Sequence, residues 1–180
     1  ILFRSSEALE SAGKVKIVVL DKTGTITRGQ PSVTDVVTDG TFTGEEILRL
    51  AASVEKGSEH PLGEAIWTEA TSRGLSLIEP AGFKAEAGLG VEAEVDGRLV
   101  VVGNTRMMES RGYTLASLGG MVEKIQNEAK TAILVAVDNE ARGVIGVADT
   151  LKEGSIEAVN GLHQMGLRVA MITGDNQRTA

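Results

Sequence analysis

Two short apolar runs, near opposite ends of the chain, constrain the fold most strongly. KIVVL (16–20) and LRVAMIT (167–173) are rich in branched side chains and have the length of β-strands. Continuous apolar runs of this length are typical of parallel strands that are covered on both faces. We therefore predict one α/β domain that contains both strands, fully buried, and that is interrupted in sequence by an inserted domain.

Both predicted strands lead directly into short polar segments, DKTGT (21–25) and TGDN (173–176). In open α/β sheets, ligands bind at the carboxyl ends of the parallel strands, so we expect the two segments to meet at one site. An aspartate at such a place is most often a plain strand exit. The alternative is that Asp21 is a nucleophile that attacks a phosphoryl group. Mg²⁺, the Thr25 hydroxyl and N–H groups of a turn at Gly24 could then neutralise the negative charge.

The block between the two strands is predicted to be α+β. Thr43 with Glu46 forms a capping-box pattern, and Pro61 stands at a first-turn position, so each begins a helix. Asp96–Gly97 is a typical hairpin turn, and a second hairpin is predicted across Asn139–Glu140. We predict helices at 5–13, 43–57, 61–74, 104–111, 115–129 and 151–166, and extended segments at 16–20, 32–38, 83–103, 131–138, 141–149 and 167–173.

Composition excludes several classes of function. The chain has no cysteine, a net charge of −7 and 3% aromatic residues. The lack of cysteine removes disulfides and thiolate sites, and the negative charge argues against nucleic acid as a partner. No apolar run approaches the roughly 20 residues of a membrane-spanning helix, and no signal segment is recognisable. The five methionines are predicted to fill gaps in the core, and His163 is expected to be a surface or packing residue.

DKTGT, followed by Ile26 and Thr27, resembles the phosphorylation motif of P-type ATPases, the cation pumps of the haloacid-dehalogenase-like superfamily. MITGDN (171–176) is similar to the second phosphate-site element of that family, and VADTLKEG (147–154) to the hinge after its nucleotide-binding domain. The resemblance implies that ATP phosphorylates Asp21 and that Mg²⁺ binds the Asp21 carboxylate and the Thr23 backbone carbonyl. It also implies a phosphate site formed by Asp21, Lys22, Thr23, Thr173, Gly174 and Asp175.

A free-standing haloacid-dehalogenase-like phosphohydrolase is the alternative. Enzymes of that class carry a second aspartate, two residues after the nucleophile, as general acid and base for hydrolysis of the acyl phosphate. This chain has Thr23 at that position, and a threonine hydroxyl cannot activate water in this way. We therefore favour an aspartyl phosphate that persists as an intermediate.

SEHPLGEAI (58–66) contains a His60–Pro61 pair that resembles the heavy-metal-transporting branch of the P-type pumps. Out of context, a histidine before a proline at a helix start is more often structural. The resemblance implies that His60 contacts adenine and that Glu55 faces its amino group. Glycines allow a base to approach closely because they lack Cβ, although a lone G-x-G also occurs at a bulge or turn. The implied nucleotide-binding residues are Glu55, His60, Gly88, Gly90, Gly103 and Asn104.

The resemblance implies a Rossmann-type phosphorylation domain in two parts, 1–33 and 148–180. Between them, residues 34–147 would form an α+β nucleotide-binding domain with an antiparallel sheet. Because further phosphate- and Mg²⁺-binding segments of the family lie beyond TGDN, we expect the phosphorylation domain to be incomplete at its C-terminus. An exposed sheet edge would then allow self-association.

The protein implied is an integral membrane pump for Cu⁺, or for Zn²⁺ or Cd²⁺, with this chain in its cytoplasmic region. The rest of the pump, including membrane helices and an actuator domain, would be its partner. On its own the chain is expected to bind ATP with little or no turnover. A nucleotide-sensing module without enzymatic activity is a third hypothesis.

Overall fold

A computed structural model of the chain describes residues 5–58 and 60–172. The helices are α1 (Ser6–Ala12), α2 (Gly44–Glu55), α3 (Pro61–Ser72), α4 (Thr105–Ser110), α5 (Gly119–Asn127) and α6 (Ser155–Gln164). The strands are β1 (Ile17–Asp21), β2 (Thr27–Thr38), β3 (Ala81–Glu86), β4 (Gly90–Val95), β5 (Arg98–Gly103), β6 (Thr131–Val137), β7 (Glu140–Leu151) and β8 (Arg168–Ile172). Three predicted site residues, Thr173, Gly174 and Asp175, lie outside the described residues. None of the described helices is long and apolar enough to cross a bilayer.

The described residues divide into two compact units. The first takes residues 5–29 and 149–172, and the second takes residues 30–58 and 60–148. The division falls within β2 and within β7. Each unit has its own sheet, with two strands in the first and six in the second.

The first unit is built on the two predicted strands, which pair in parallel. The register places Ile17 opposite Arg168 and Asp21 opposite Ile172, so both strands end at the same edge. The prediction of full burial was wrong, because Val19 is 53% exposed and Ile172 is 65% exposed. These strands carry apolar side chains on both faces, but the described part of the unit contains only a two-stranded sheet and the helices α1 and α6, which is too little structure to cover both faces.

The second unit contains a six-stranded sheet in the order β2-β7-β6-β5-β4-β3. From β3 to β7, each neighbouring pair is antiparallel. Successive residues of a strand point to opposite faces: Val100 and Val102 join a core with α2 and α3, whereas Val101 joins a core with α4 and α5. Helices therefore cover both faces of the sheet around its central strands.

Local turn chemistry sets the ends of the elements. The Thr43 hydroxyl accepts from the Glu46 N–H, and the Glu46 carboxylate accepts from the Thr43 N–H, so the predicted capping box is present. Pro61 occupies the first turn of α3 as predicted. Asp96 and Gly97 have φ of 57° and 71°, as a two-residue hairpin turn requires.

Two local predictions need correction. The second hairpin turns at Asp138 and Asn139, with φ of 51° and 69°, one residue before the predicted Asn139–Glu140, because Glu140 already pairs with Val137. Met107 and Met108 are fully buried, but Met121, Met165 and Met171 are exposed. The predicted role of filling gaps in the core therefore holds only for Met107 and Met108.

Candidate nucleotide and phosphoryl sites

The second unit holds a cavity of about 600 Å³. Its wall is formed by the end of α2, the start of α3 and one end of strands β3 to β6. Every nucleotide-binding residue implied by the sequence lines this cavity, namely Glu55, His60, Gly88, Gly90, Gly103 and Asn104. The fold therefore brings together residues that are up to fifty positions apart in sequence.

Glu55 is the last residue of α2, and its carboxyl group is buried in the cavity wall. The residue is 9% exposed, and its Oε2 has no hydrogen-bond partner among the described residues. Burial raises the pKa of Glu55 above its ordinary value, although a hydrogen bond with the Ser58 side chain and the nearby His60 oppose that rise. Gly63 of α3 makes room for this carboxyl group, because a Cβ there would lie 2.3 Å from Glu55 Oε2.

His60 precedes α3 and caps its N-terminus. Its Nδ1 accepts a hydrogen bond from the Leu62 N–H at 3.2 Å, so the neutral ring carries its proton on Nε2. Pro61 follows at the first helical position, where its missing N–H leaves no donor unsatisfied. The structural role of His60 therefore uses one ring nitrogen and leaves the Nε2–H available for a ligand.

The three glycines of the cavity differ in what requires them. Gly88 has a φ of +73° and open space where a Cβ would point. At Gly90 a Cβ would lie 2.2 Å from the Val102 carbonyl oxygen, and at Gly103 it would lie 2.5 Å from Met107 Sδ. Close packing of the protein's own strands and of α4 therefore requires Gly90 and Gly103, independently of any ligand.

Asn104, at the start of α4, is tied to the loop of residues 88–90, hereafter the glycine loop. Its Nδ2 donates to the Gly88 carbonyl at 2.8 Å, and its Oδ1 accepts from the Met107 N–H at 3.1 Å. Its own N–H donates to the Leu89 carbonyl at 2.9 Å. The side chain thus holds the loop before β4 in place, and both of its polar ends are occupied by the protein.

The sequence interpretation missed several residues of this site. Ser58 and Phe83 line the cavity, and Gly63 accommodates Glu55. A glycine inside a helix is the one local signal that could have pointed to Gly63. Phe83 lies where the register of β3 against β4 shifts between Ala81 and Lys84, and such a bulge is not visible in the sequence.

The first unit carries the second candidate site, at the end of β1. Asp21 is exposed, and residues 22–26 follow it as a compact turn in which Gly24 has a φ of +73°. Thr23 is also exposed and has an extended backbone, with ψ of 122°. The turn thus places the exposed residues Asp21 and Thr23 near the end of the strand, whereas the Gly24 N–H donates to Thr27 Oγ1 at 3.4 Å.

Asp149 closes this turn, a contact that the sequence did not predict. Thr27 is 2% exposed, and its hydroxyl lies 2.5 Å from Asp149 Oδ2 and 2.9 Å from the Lys22 carbonyl oxygen. The Gly29 N–H donates to Asp149 Oδ1 at 2.9 Å. The Lys152 ammonium group donates to the Gly24 carbonyl. Asp149, near the end of β7, and Lys152, directly after that strand, therefore fix the geometry of the turn.

The candidate ligands for a cation at this turn are oxygen atoms. In residues 5–58 and 60–172, no group of three or more His, Cys, Asp or Glu side chains could hold a metal ion. The Asp21 carboxylate and the Thr23 backbone carbonyl are hard oxygen donors of the kind that Mg²⁺ prefers, and Mg²⁺ commonly binds through one or two protein carboxylates together with water and phosphate. These residues fit Mg²⁺ in chemical type.

Comparisons with known proteins agree on one family. Residues 15–180 match the haloacid dehalogenase-like hydrolase family. The copper-exporting P-type ATPase of Bacillus subtilis (strain 168) is 44% identical over 180 residues, which cover 100% of this chain and 22% of that protein. The chain thus spans about a fifth of the length of the curated relatives that it matches.

Solved structures give the same result for the fold. A zinc-transporting PIB-type ATPase in the E2·Pi state aligns with a TM-score of 0.88 at 33% identity, over 95% of this chain and 28% of that chain. The N-domain of a copper-transporting P-type ATPase aligns with a TM-score of 0.56 at 33% identity, over 65% of this chain and 99% of that one. Because the family match extends over most of the sequence, this chain belongs to the haloacid dehalogenase-like hydrolases, and over its whole length it resembles the ATP-binding and phosphorylation region of the heavy-metal P-type ATPases.

Proposed function

We propose that this chain is the nucleotide-binding and phosphorylation region of a P-type ATPase that exports Cu⁺, with Zn²⁺ or Cd²⁺ as the alternative ions. The observation that carries the proposal is the single cavity lined by Glu55, His60 and the glycine loop. Its volume of about 600 Å³ is in the range of small-molecule sites. The copper-exporting relative of Bacillus subtilis supports the choice of ion.

In this proposal the base of ATP occupies the cavity of the second unit. Glu55 faces the amino group of adenine, and the His60 ring contacts the base. The backbone at Gly88 and Gly90 lies along the cavity wall, where the absence of side chains lets the base approach closely. Asn104 acts by holding the Gly88 carbonyl, and Gly103 by allowing β5 to pack against α4.

The phosphoryl chemistry is assigned to the turn after β1. Asp21 is the nucleophile: its carboxylate oxygen bonds to the γ-phosphorus of ATP while the bond from that phosphorus to the bridging oxygen breaks and ADP leaves. Lys22, Thr173, Gly174 and Asp175 complete the phosphate site. Mg²⁺ bound to Asp21 and to the Thr23 carbonyl would neutralise the charge of the transferred group. Since Thr23 cannot act as a general base, water is not activated at this position and the aspartyl phosphate persists.

The proposed division of labour assigns one role to each domain, with domain boundaries close to, but not the same as, those of the two units, which meet at residues 29–30 and 148–149. Residues 1–33 and 148–180 serve phosphorylation, and residues 34–147 bind the nucleotide. The partner of this chain is the remainder of the pump, including membrane helices, and the chain lies on the cytoplasmic side. We further propose that copies of the chain associate through the edges of the β1–β8 sheet.

A titration of ATP into this chain, followed by calorimetry and NMR, tests the proposal. We expect weak binding with little need for Mg²⁺, and a loss of at least about tenfold in affinity for both His60→Gln and Glu55→Ala. Asp21→Asn, which alters only the phosphoryl site, is the matched control and should bind ATP as the unchanged chain does. Binding that requires Mg²⁺ and Asp21, and is indifferent to His60 and Glu55, would refute the assignment.

A further inference from the structure

The carboxyl group of Glu55 is a buried titratable group without a cation beside it. No described residue forms an ion pair with it, and its Oε2 lacks a donor among the described residues. Neighbouring charges are engaged elsewhere: Lys56 pairs with Glu79, and Glu86 of β3, in the same cavity wall, pairs with Arg111. From the start of α3, His60 is the titratable group that faces it.

These surroundings favour a neutral Glu55. An isolated ionised carboxylate is costly to bury, and at 9% exposure Glu55 has little water to solvate it. Gly63 and Ser58 pack directly against the carboxyl group, since a Cβ on Gly63 would lie 2.3 Å from Glu55 Oε2 and 2.9 Å from Ser58 Oγ. Neither neighbour brings a positive charge.

The protonation state of this group changes which purine it matches. A neutral carboxylic acid offers one O–H donor and one carbonyl acceptor, whereas an ionised carboxylate only accepts. Adenine presents an amino donor beside a ring-nitrogen acceptor, which is the pattern complementary to the neutral acid. Guanine presents two adjacent N–H donors on its pairing edge, which is the pattern complementary to the carboxylate.

We propose that Glu55 selects adenine as a neutral carboxylic acid, which donates to a ring nitrogen and accepts from the amino group. Ionisation of Glu55 then weakens the binding of ATP and favours the binding of GTP. The inference rests on the proposed nucleotide function of the cavity. Its basis is the burial of the carboxyl group and, within residues 5–58 and 60–172, the lack of a donor to its Oε2 and of a cation paired with it. The raised pKa of Glu55, which burial causes against the opposing effects of Ser58 and His60, supports it.

The test compares ATP and GTP affinities of the full chain with those of Glu55→Gln, without Mg²⁺, between about pH 5.5 and pH 9. The glutamine amide has one donor and one acceptor, as the neutral acid has, but it cannot ionise. For the unchanged chain, the preference for ATP over GTP should fall by up to about tenfold per pH unit above the pKa of Glu55. Glu55→Gln should retain ATP affinity and show a preference that is constant with pH.

Glu64→Gln is the matched control, since Glu64 is an exposed carboxylate in the first turn of α3, and it should follow the unchanged chain. A preference for ATP that is constant with pH in the unchanged chain would overturn the inference, and so would a Glu55→Gln variant as weak as Glu55→Ala. If the unchanged chain binds neither nucleotide at any pH, the proposed function itself fails and this inference falls with it. The same measurements therefore distinguish failure of this inference from failure of the proposed function.

Discussion

At the scale of single residues, Gly88 and Gly90 of the cavity differ in what requires a glycine. The packing of the fold requires Gly90, whereas a Cβ at Gly88 would point into open space. Gly88→Ala meets open space and should cost about 1 kcal/mol in stability, because the left-handed conformation disfavours a Cβ. Gly90→Ala would collide with the Val102 carbonyl oxygen and Gly103 Cα, so we expect about 3 kcal/mol or more. Urea unfolding measures the loss of stability in each variant. ATP titration, at a temperature where both variants are folded, measures any loss of nucleotide affinity. Equal losses of stability would contradict this distinction.

Gly63 provides a second test at the residue scale. Gly63→Ala should displace the Glu55 carboxyl group, because the new Cβ would lie too close to both Glu55 Oε2 and Ser58 Oγ. We expect a loss of about 1–3 kcal/mol in stability and a loss of ATP affinity that calorimetry detects. Gly120→Ala in α5 is the control, since its Cβ meets nothing within 4 Å, and it should leave both properties unchanged or raise stability slightly. Unaltered ATP binding by Gly63→Ala would show that the position of Glu55 is unimportant.

At the scale of elements, an ion-pair network ties β3 and β4 to the residue after α4. Arg111 pairs with Glu86 and, at 2.5 Å, with Glu92, which is 7% exposed and also pairs with Lys84 at 3.2 Å. Burial would raise the pKa of Glu92, but hydrogen bonds from Arg111 and Lys84 outweigh it and hold the pKa below its usual value. A carboxylate with a lowered pKa stabilises the fold above its unfolded pKa, and that contribution is lost as the pH falls.

Arg111→Met should therefore destabilise the second unit by about 3 kcal/mol near pH 7, since it leaves Glu92 buried with only Lys84 as a cation. Burial then raises the pKa of Glu92, and the difference from the unchanged protein should shrink toward about pH 4 as Glu92 is protonated. Urea unfolding at both pH values measures this. Arg106→Met, at an exposed arginine in α4, should show no such dependence, and a difference that grows in acid would be inconsistent with the network.

The contact between Thr27 and Asp149 is the second prediction at this scale. Thr27→Val keeps the shape of the side chain but removes the hydroxyl that lies between Asp149 and the Lys22 carbonyl. We expect a loss of about 1–3 kcal/mol and faster amide hydrogen exchange at Gly29, whose N–H donates to Asp149. Thr27→Ser retains the hydroxyl and should behave much more like the unchanged protein. Equal exchange in all three proteins would remove Asp149 from the positioning of the turn.

At the scale of the whole molecule, the two units differ in how completely they bury their apolar residues. The core strands of the second unit hold fully buried residues such as Val102 and Leu134, whereas Val19 and Ile172 of the first unit are more than half exposed. Local stability follows buried apolar contacts, so backbone amides of β1 and β8 should exchange at least about tenfold faster than those of β5 and β6. Native-state hydrogen exchange by NMR measures both sets in one experiment. Uniform protection across the two units would contradict the prediction.

Much of the architecture was predictable from local patterns. Apolar runs predicted β1 and β8, the capping box at Thr43 predicted the start of α2, and Asp96–Gly97 predicted a hairpin. These signals act between neighbours in sequence, through hydrogen bonds to the next turn and through allowed backbone angles. The motif residues were also recognisable, because DKTGT and His60–Pro61 are contiguous segments. The exposure of β1 and β8 was not predictable, since burial depends on every element that packs around a strand.

Sequence alone determined which residue types are available here: an aspartate after a strand, a threonine where a general base would stand, and glycines near a histidine–proline pair. Only the tertiary structure decided that Glu55 is buried with no cation paired to it among the described residues, that Gly63 makes room for it, and that Asp149 holds the turn after Asp21. The physical reason is that desolvation and packing are sums over neighbours that the chain brings from distant positions. Backbone propensity and turn chemistry, by contrast, are properties of a few adjacent residues.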